Sequence, residues 1–260
     1  MKILALESSG LVASVALWSD GCLMGEFTTN FKKTHSQTLL PMLDDLLKTL
    51  GVEMEDCDAI AVSAGPGSFT GLRIGSATAK GIGLALKLPI IEVPTVDGIA
   101  YNLFGTDRVV CPLMDAKRQQ VYTGLYTFTG DALTVLTPQK AVSIDEILDE
   151  VNALERPVIF TGDGVPVYKE TIMKKCTVPY GFAPAHLAAQ RAGALASLAA
   201  SYMTDPGKQD RIVNAADHQP DYLRLSQAER ELAAKNAAKK AAQASAPEDS
   251  RQEAEASHGA

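Results

Sequence analysis

Apolar residues occupy positions 3–6 without a break, as Ile3, Leu4, Ala5 and Leu6. Successive side chains of a strand point to opposite faces, so residues 2–9 read as a strand covered on both sides. Residues 12–18 and 22–29 flank Ser19-Asp20-Gly21, the composition of a hairpin turn. Three antiparallel strands therefore open the chain. Leu39, Met42, Leu43, Leu46, Leu47 and Leu50 then fall at i, i+3, i+4, i+7, i+8 and i+11, an amphipathic helix. Thr38 as its N-cap would put Pro41 in the first turn, and Gly51 suits the left-handed residue past its end. Residues 59–63 are a strand. A second helix carries Gly71, Gly75, Ala79 and Gly83 every four residues and stops before Pro89, and residues 90–93 are a strand. The order is βββαβαβ.

After residues 101–106 the pattern starts again. Strands are expected at 109–114, 121–128 and, past Thr129-Gly130-Asp131, at 133–136. Ser143-Ile144-Asp145-Glu146 is a capping box opening a helix through Leu154. A strand at 158–161, a short helix at 168–175, a strand at 176–179 and an Ala-rich helix at 185–202 follow. The last ends near Asp205-Pro206-Gly207. The expected fold is α/β, with two similar lobes at residues 1–105 and 106–225. Beyond residue 226 the chain is rich in Ala, Glu, Lys, Gln and Ser, and between 230 and 244 only Leu232 is large and apolar. The tail 226–260 is expected to be mostly disordered, a solvated helix being the alternative.

The small-residue row on the second helix costs roughly 1 kcal/mol per interior glycine, which close approach of another backbone would recover. The expectation is that the two N-terminal helices pair with their counterparts in a partner through His35, Leu39, Met42, Leu43, Leu46, Gly71, Leu72, Gly75, Ala79 and Gly83, the alternative being that both stripes bury against the chain's own sheet. His35 would then order the loop before the first helix or lie at that contact. The glycines at 65 and 67 do not make a nucleotide fingerprint: Thr70 breaks G-x-G-x-x-G, and no Gly-Lys-Ser/Thr follows. A structural turn is favoured over a phosphate cradle.

Composition adds constraints. Of the 260 residues, 46% are hydrophobic and 21% charged, as in globular proteins. The net charge of −7 and the thin basic clusters, Lys32-Lys33 and Lys117-Arg118, argue against this chain being the main nucleic-acid contact. Cys22, Cys57, Cys111 and Cys176 form no C-x-x-C pair, so neither a disulfide framework nor a zinc ribbon is implied. No apolar run suits a bilayer and no basic leader precedes the first strand, so a cytoplasmic protein without membrane contact is expected.

The duplicated βββαβαβ order resembles the actin, sugar-kinase and Hsp70 superfamily, with ribonuclease H-like lobes. Within it, Ile3 to Ser9, His35-Ser36-Gln37, Gly65 to Gly75, Ala79-Lys80-Gly81, Met114 to Tyr122 and Pro220 to Arg224 resemble the bacterial TsaB (YeaZ) family, over roughly residues 1–225. The resemblance implies a non-catalytic partner subunit in the synthesis of threonylcarbamoyladenosine beside the anticodon of tRNA. It would support the catalytic paralogue TsaD, with the ATPase TsaE as third partner, homodimerise when TsaD is absent, and meet tRNA only through the complex. TsaD carries two histidines four residues apart after the fifth strand. The matching positions here are Thr95 and Ile99, so no metal is expected. Glu7, Ser8, Ser9 and Asp115 stand where the superfamily addresses phosphate and magnesium, or are strand-end residues satisfied by local N–H groups. No cofactor is expected. The competing reading is a stand-alone small-molecule kinase or ATPase of the same fold.

Overall fold

In the computed structural model, residues 1–31 and 34–223 are described, so the expectation for the tail 226–260 falls outside the described residues. β1 (Lys2–Glu7) is an inner strand of the first sheet. It pairs antiparallel with β2 (Ala13–Ser19), which pairs antiparallel with β3 (Cys22–Thr29). On its other side β1 runs parallel to β4 (Ala59–Gly65), and β4 parallel to β5 (Ile90–Pro94). The helices α1 (His35–Leu50) and α2 (Phe69–Leu86) lie between β3 and β4 and between β4 and β5, and α3 (Thr95–Tyr101) follows β5. The second sheet repeats the plan with β6 (Val109–Asp115), β7 (Gln120–Thr129), β8 (Ala132–Ser143), α4 (Ile144–Ala153), β9 (Val158–Thr161), α5 (Val165–Lys175) and β10 (Tyr180–Phe182). α6 (Ala192–Thr204) and β11 (Ile212–Val213) complete the described chain.

The strand orders are β11-β5-β4-β1-β2-β3 and β10-β9-β6-β7-β8. With β11 set aside they match strand for strand, including the parallel pairing of first with fourth, so the duplication read from the sequence is present. The second half also reaches back. β11 pairs antiparallel with β5, and α6 packs on the first sheet. Ile3 and Ala5 meet Leu195, Ala196 and Ala199 of α6 on one face, while Leu4 and Leu6 meet Leu39, Leu43 and Leu46 of α1 on the other. Burying a leucine side chain contributes about 1.5–3 kcal/mol, and the two layers explain why β1 is apolar at every position from 3 to 6.

Several boundaries differ from the sequence reading. α1 starts at His35 with Thr34 as N-cap, so Thr38 lies inside the helix, its hydroxyl donating to the Thr34 carbonyl at 3.4 Å, and Pro41 is interior. Gly51 does take the left-handed conformation (φ 62°), its N–H meeting the Leu47 and Lys48 carbonyls. Ser143 caps α4 as expected, its Oγ accepting from the Glu146 N–H. β8 extends to Ser143 instead of 136, because a half-exposed edge strand carries polar residues and loses its apolar signature. β10 lies at 180–182, not 176–179. The Ala-rich helix begins at Ala192, after a 3-10 turn at Ala185–Leu187. α3 was not anticipated: all of Thr95 to Ala100 is buried, so no polar face marks its period.

Candidate functional site

The small-residue row of α2 is occupied from within. Ser68 caps the helix, its Oγ accepting from the Gly71 N–H, and its own N–H donates to the Ser9 carbonyl at 2.7 Å. A Cβ on Gly71 would stand 2.1 Å from the Ser8 carbonyl oxygen, and one on Gly75 2.3 Å from Ser8 Oγ. Ser8 Oγ donates to the Gly71 carbonyl at 2.9 Å. The end of β1 therefore leads directly onto α2, and glycine is required at 71, where any side chain would stand on the Ser8 backbone carbonyl.

This corrects the expectation that these positions meet a partner. Gly71, Leu72, Gly75, Ala79 and Gly83 are buried in the chain's own core, as are Leu39, Leu43 and Leu46, and Met42 packs partly against the same cluster. The physical reason is that the sheet needs both stripes to cover one face. His35 Nε2 donates to the Gly10 carbonyl at 2.8 Å and orders that loop. What α1 and α2, packed against each other, turn outward is a different set: Leu40, at 52% exposure, Arg73, Ala77, Gly81 and Leu84, at 55%.

A cleft of about 620 Å³ opens between the strand ends, lined among others by Ser9, Gly10, Gly67, Asp115, Lys117 and Asp163. Of the nucleotide candidates, Ser9 and Asp115 reach it, while Glu7 and Ser8 do not line it. Glu7 is 3% exposed; its Oε1 accepts from the Ser9 N–H at 2.7 Å and Ser9 Oγ at 2.5 Å, and Oε2 accepts from Ser63 Oγ. Burial pushes its carboxyl above the ordinary range against these hydrogen bonds. Asp115 is engaged as well: Oδ1 accepts from the Lys117 N–H at 2.9 Å and Oδ2 meets Lys117 Nζ at 2.6 Å. Burial alone would raise its pKa, but the bonds and charge of Lys117 outweigh that and hold it low. Lys117, Arg118 and Gln119 all take left-handed backbone (φ 62°, 57° and 58°) where a phosphate loop would use glycine.

Thr95 and Ile99 are buried on α3, and neither side chain offers a transition metal a ligand. Among the described residues no group of three His, Cys, Asp or Glu side chains could hold a metal ion. Sequence reasoning missed how the strap leading to the tail is fastened. The Asp221 N–H donates to the Ala64 carbonyl at 2.6 Å, and Lys80 Nζ donates to the Ala216 and His218 carbonyls at 2.9 Å each. Tyr222 stacks on Phe69 with centroids 4.3 Å apart, and Arg73 Nε donates to its hydroxyl at 3.3 Å. The only signal was the Pro220 to Arg224 segment, whose role a linear pattern does not reveal.

Residues 24–247 match the TsaD family model, described as tRNA N6-adenosine threonylcarbamoyltransferase. The tRNA threonylcarbamoyladenosine biosynthesis protein TsaB of Bacillus subtilis is 32% identical over 229 residues, 88% of this chain and 96% of that protein. The chain belongs to the TsaB family. The Escherichia coli TsaB is 37% identical over 153 residues, 58% of this chain and 65% of that protein. The solved YeaZ structure from Pseudomonas aeruginosa superposes with a TM-score of 0.72 at 27% identity, covering 85% of this chain and 99% of that one. The Bacillus subtilis TsaB match covers 88% of this chain and so runs through both sheets.

Proposed function

We propose that this chain is the partner subunit of a TsaD-type catalytic subunit in the formation of threonylcarbamoyladenosine on tRNA. The observation that carries the reading is the 32% identity to a TsaB over 96% of that protein's length. The cleft supports it: one strand-end carboxylate is sealed by Ser9 and Ser63 and the other is paired with Lys117, which leaves little to ligate magnesium or cradle phosphate and disfavours a stand-alone kinase or ATPase. The contact surface on this reading is the outward face of α1 and α2, where Ala77 and Gly81 let another helix approach closely and Leu40 and Leu84 supply apolar area. The same face would serve a homodimer when TsaD is absent, TsaE would join through the TsaD complex, and the complex would work in the cytoplasm. Among the described residues no helix is long and apolar enough to cross a membrane.

The test is reconstitution. Purified chain, TsaD, TsaE, a threonylcarbamoyl-adenylate source and tRNA should form threonylcarbamoyladenosine, and omission of this chain should abolish it. Turnover of ATP by the isolated chain, with no effect on the modification, would overturn the assignment.

A further inference from the structure

A second cavity, of about 220 Å³, lies far from the α1/α2 face, between α3, the start of β8 and α6. It is smaller than the roughly 300–1,000 Å³ typical of drug-sized ligands, which suits a ligand of a few heavy atoms. Asp97 of α3 lines it while being only 6% exposed. Tyr126 Oη donates to Asp97 Oδ1 at 2.7 Å, and no protein donor among the described residues reaches Oδ2. Tyr202, 3% exposed, also lines the cavity, and its hydroxyl has no hydrogen-bond partner among the described residues. A carboxylate oxygen and a phenol hydroxyl of two deeply buried residues thus open onto one small space, each without a protein partner among the described residues.

The charge around the space is lopsided. Asp131 and Asp205 join Asp97 on the lining against a single cation, Lys208. The Lys208 ammonium lies 5.2 Å over the Tyr202 ring, so this wall already accepts a cationic group on its aromatic face. Burial pushes the Asp97 carboxyl up, with only the Tyr126 bond and the charges of Lys208 and Arg211 opposing it. An incoming cation would favour the ionised form. The spacing of the carboxylates excludes a bare metal ion, since no three of these groups come close enough to hold one, and suits an elongated organic cation.

We infer that this cavity binds a small aliphatic amine of the diamine class, with one ammonium on Asp97 Oδ2 beside Tyr202 and the other toward Asp131 and Asp205. The methylene chain would lie between Tyr101 and Tyr202. Isothermal titration and thermal-shift assays on the full chain test this with putrescine, with the uncharged diol of the same length and magnesium chloride as controls. Putrescine should bind saturably and raise Tm, and neither control should. Asp97→Asn keeps the volume and the bond from Tyr126 but removes the charge, and should weaken binding at least about tenfold. Ser201→Trp, at the exposed rim, should block entry without touching the core, so the result does not depend on the stability of the Asp97 variant. Glu55→Gln, an exposed acid elsewhere, should leave binding unchanged and so separate a site from general attraction to an acidic protein. No saturable binding below about 10 mM, or equal binding by wild type, Asp97→Asn and Ser201→Trp, would overturn the inference.

Discussion

Three alanine substitutions on α2 should have three different signs, because each glycine faces something different. At Gly71 the new Cβ would sit 2.1 Å from the Ser8 carbonyl oxygen, against 3.4–4 Å for ordinary contact, so α2 and the end of β1 must separate by more than an ångström. That carbonyl is backbone at the end of a buried strand and cannot swing aside. Overpacking of this kind costs about 1–3 kcal/mol or more, and the gain in helix propensity, about 1 kcal/mol, offsets only part. At Gly75 the obstacle is Ser8 Oγ, at 2.3 Å. A hydroxyl can rotate, giving up its 2.9 Å bond to the Gly71 carbonyl, which is worth about 1 kcal/mol; propensity returns a similar amount, and the net change is near zero. At Gly81 nothing lies within 4 Å, so Gly81→Ala should stabilise by about 0.5–1 kcal/mol. Urea unfolding followed by circular dichroism, with Tm as a second readout at about 2–4 °C per kcal/mol for a domain of this size, would measure the series. Gly71→Ala as stable as wild type, or Gly81→Ala as damaging as Gly71→Ala, would show that the inner and outer faces of α2 have been assigned the wrong way round.

Arginine at Ala77 or Gly81 should weaken association with TsaD more than tenfold while leaving Tm within a degree or two of wild type; unchanged co-purification would remove α2 from the interface. Glu7 has a folded pKa above its ordinary 4.5, so the native state holds its proton more tightly than the unfolded chain and stability falls as pH rises through and above that value. Glu7→Gln, which keeps an acceptor for Ser9 and offers a donor to Ser63, should therefore match wild type near pH 4 and gain on it by pH 8. Guanidinium unfolding at the two pH values would show a constant difference if the reasoning fails. Tyr222→Ala removes the stack on Phe69 and the bond from Arg73, about 0.5–1.5 kcal/mol, and should hasten limited proteolysis of residues 214–223 before the rest of the chain. Cleavage at the wild-type rate would show that the ring does not fasten the strap.

Local chemistry determined a good deal. The leucine spacing of α1, the left-handed Gly51, the Ser143 cap and the repeated order of strands and helices are written in short stretches, whereas the start of α1, capped by Thr34 and not Thr38, was not. The tertiary structure alone decided what covers each face. α2 carries small residues both at 71, 75, 79 and 83 and at 77 and 81, so the sequence names two smooth sides without saying which one β1 occupies. It likewise conceals that α6 and β11, from the second half, complete the first sheet, that Lys117 takes the Asp115 carboxylate, and that Asp97, bonded by Tyr126, and Tyr202, far apart in the chain, line one cavity. Periodicity states which residues share a side of an element; the neighbour on that side is chosen by long-range contacts that no local pattern records.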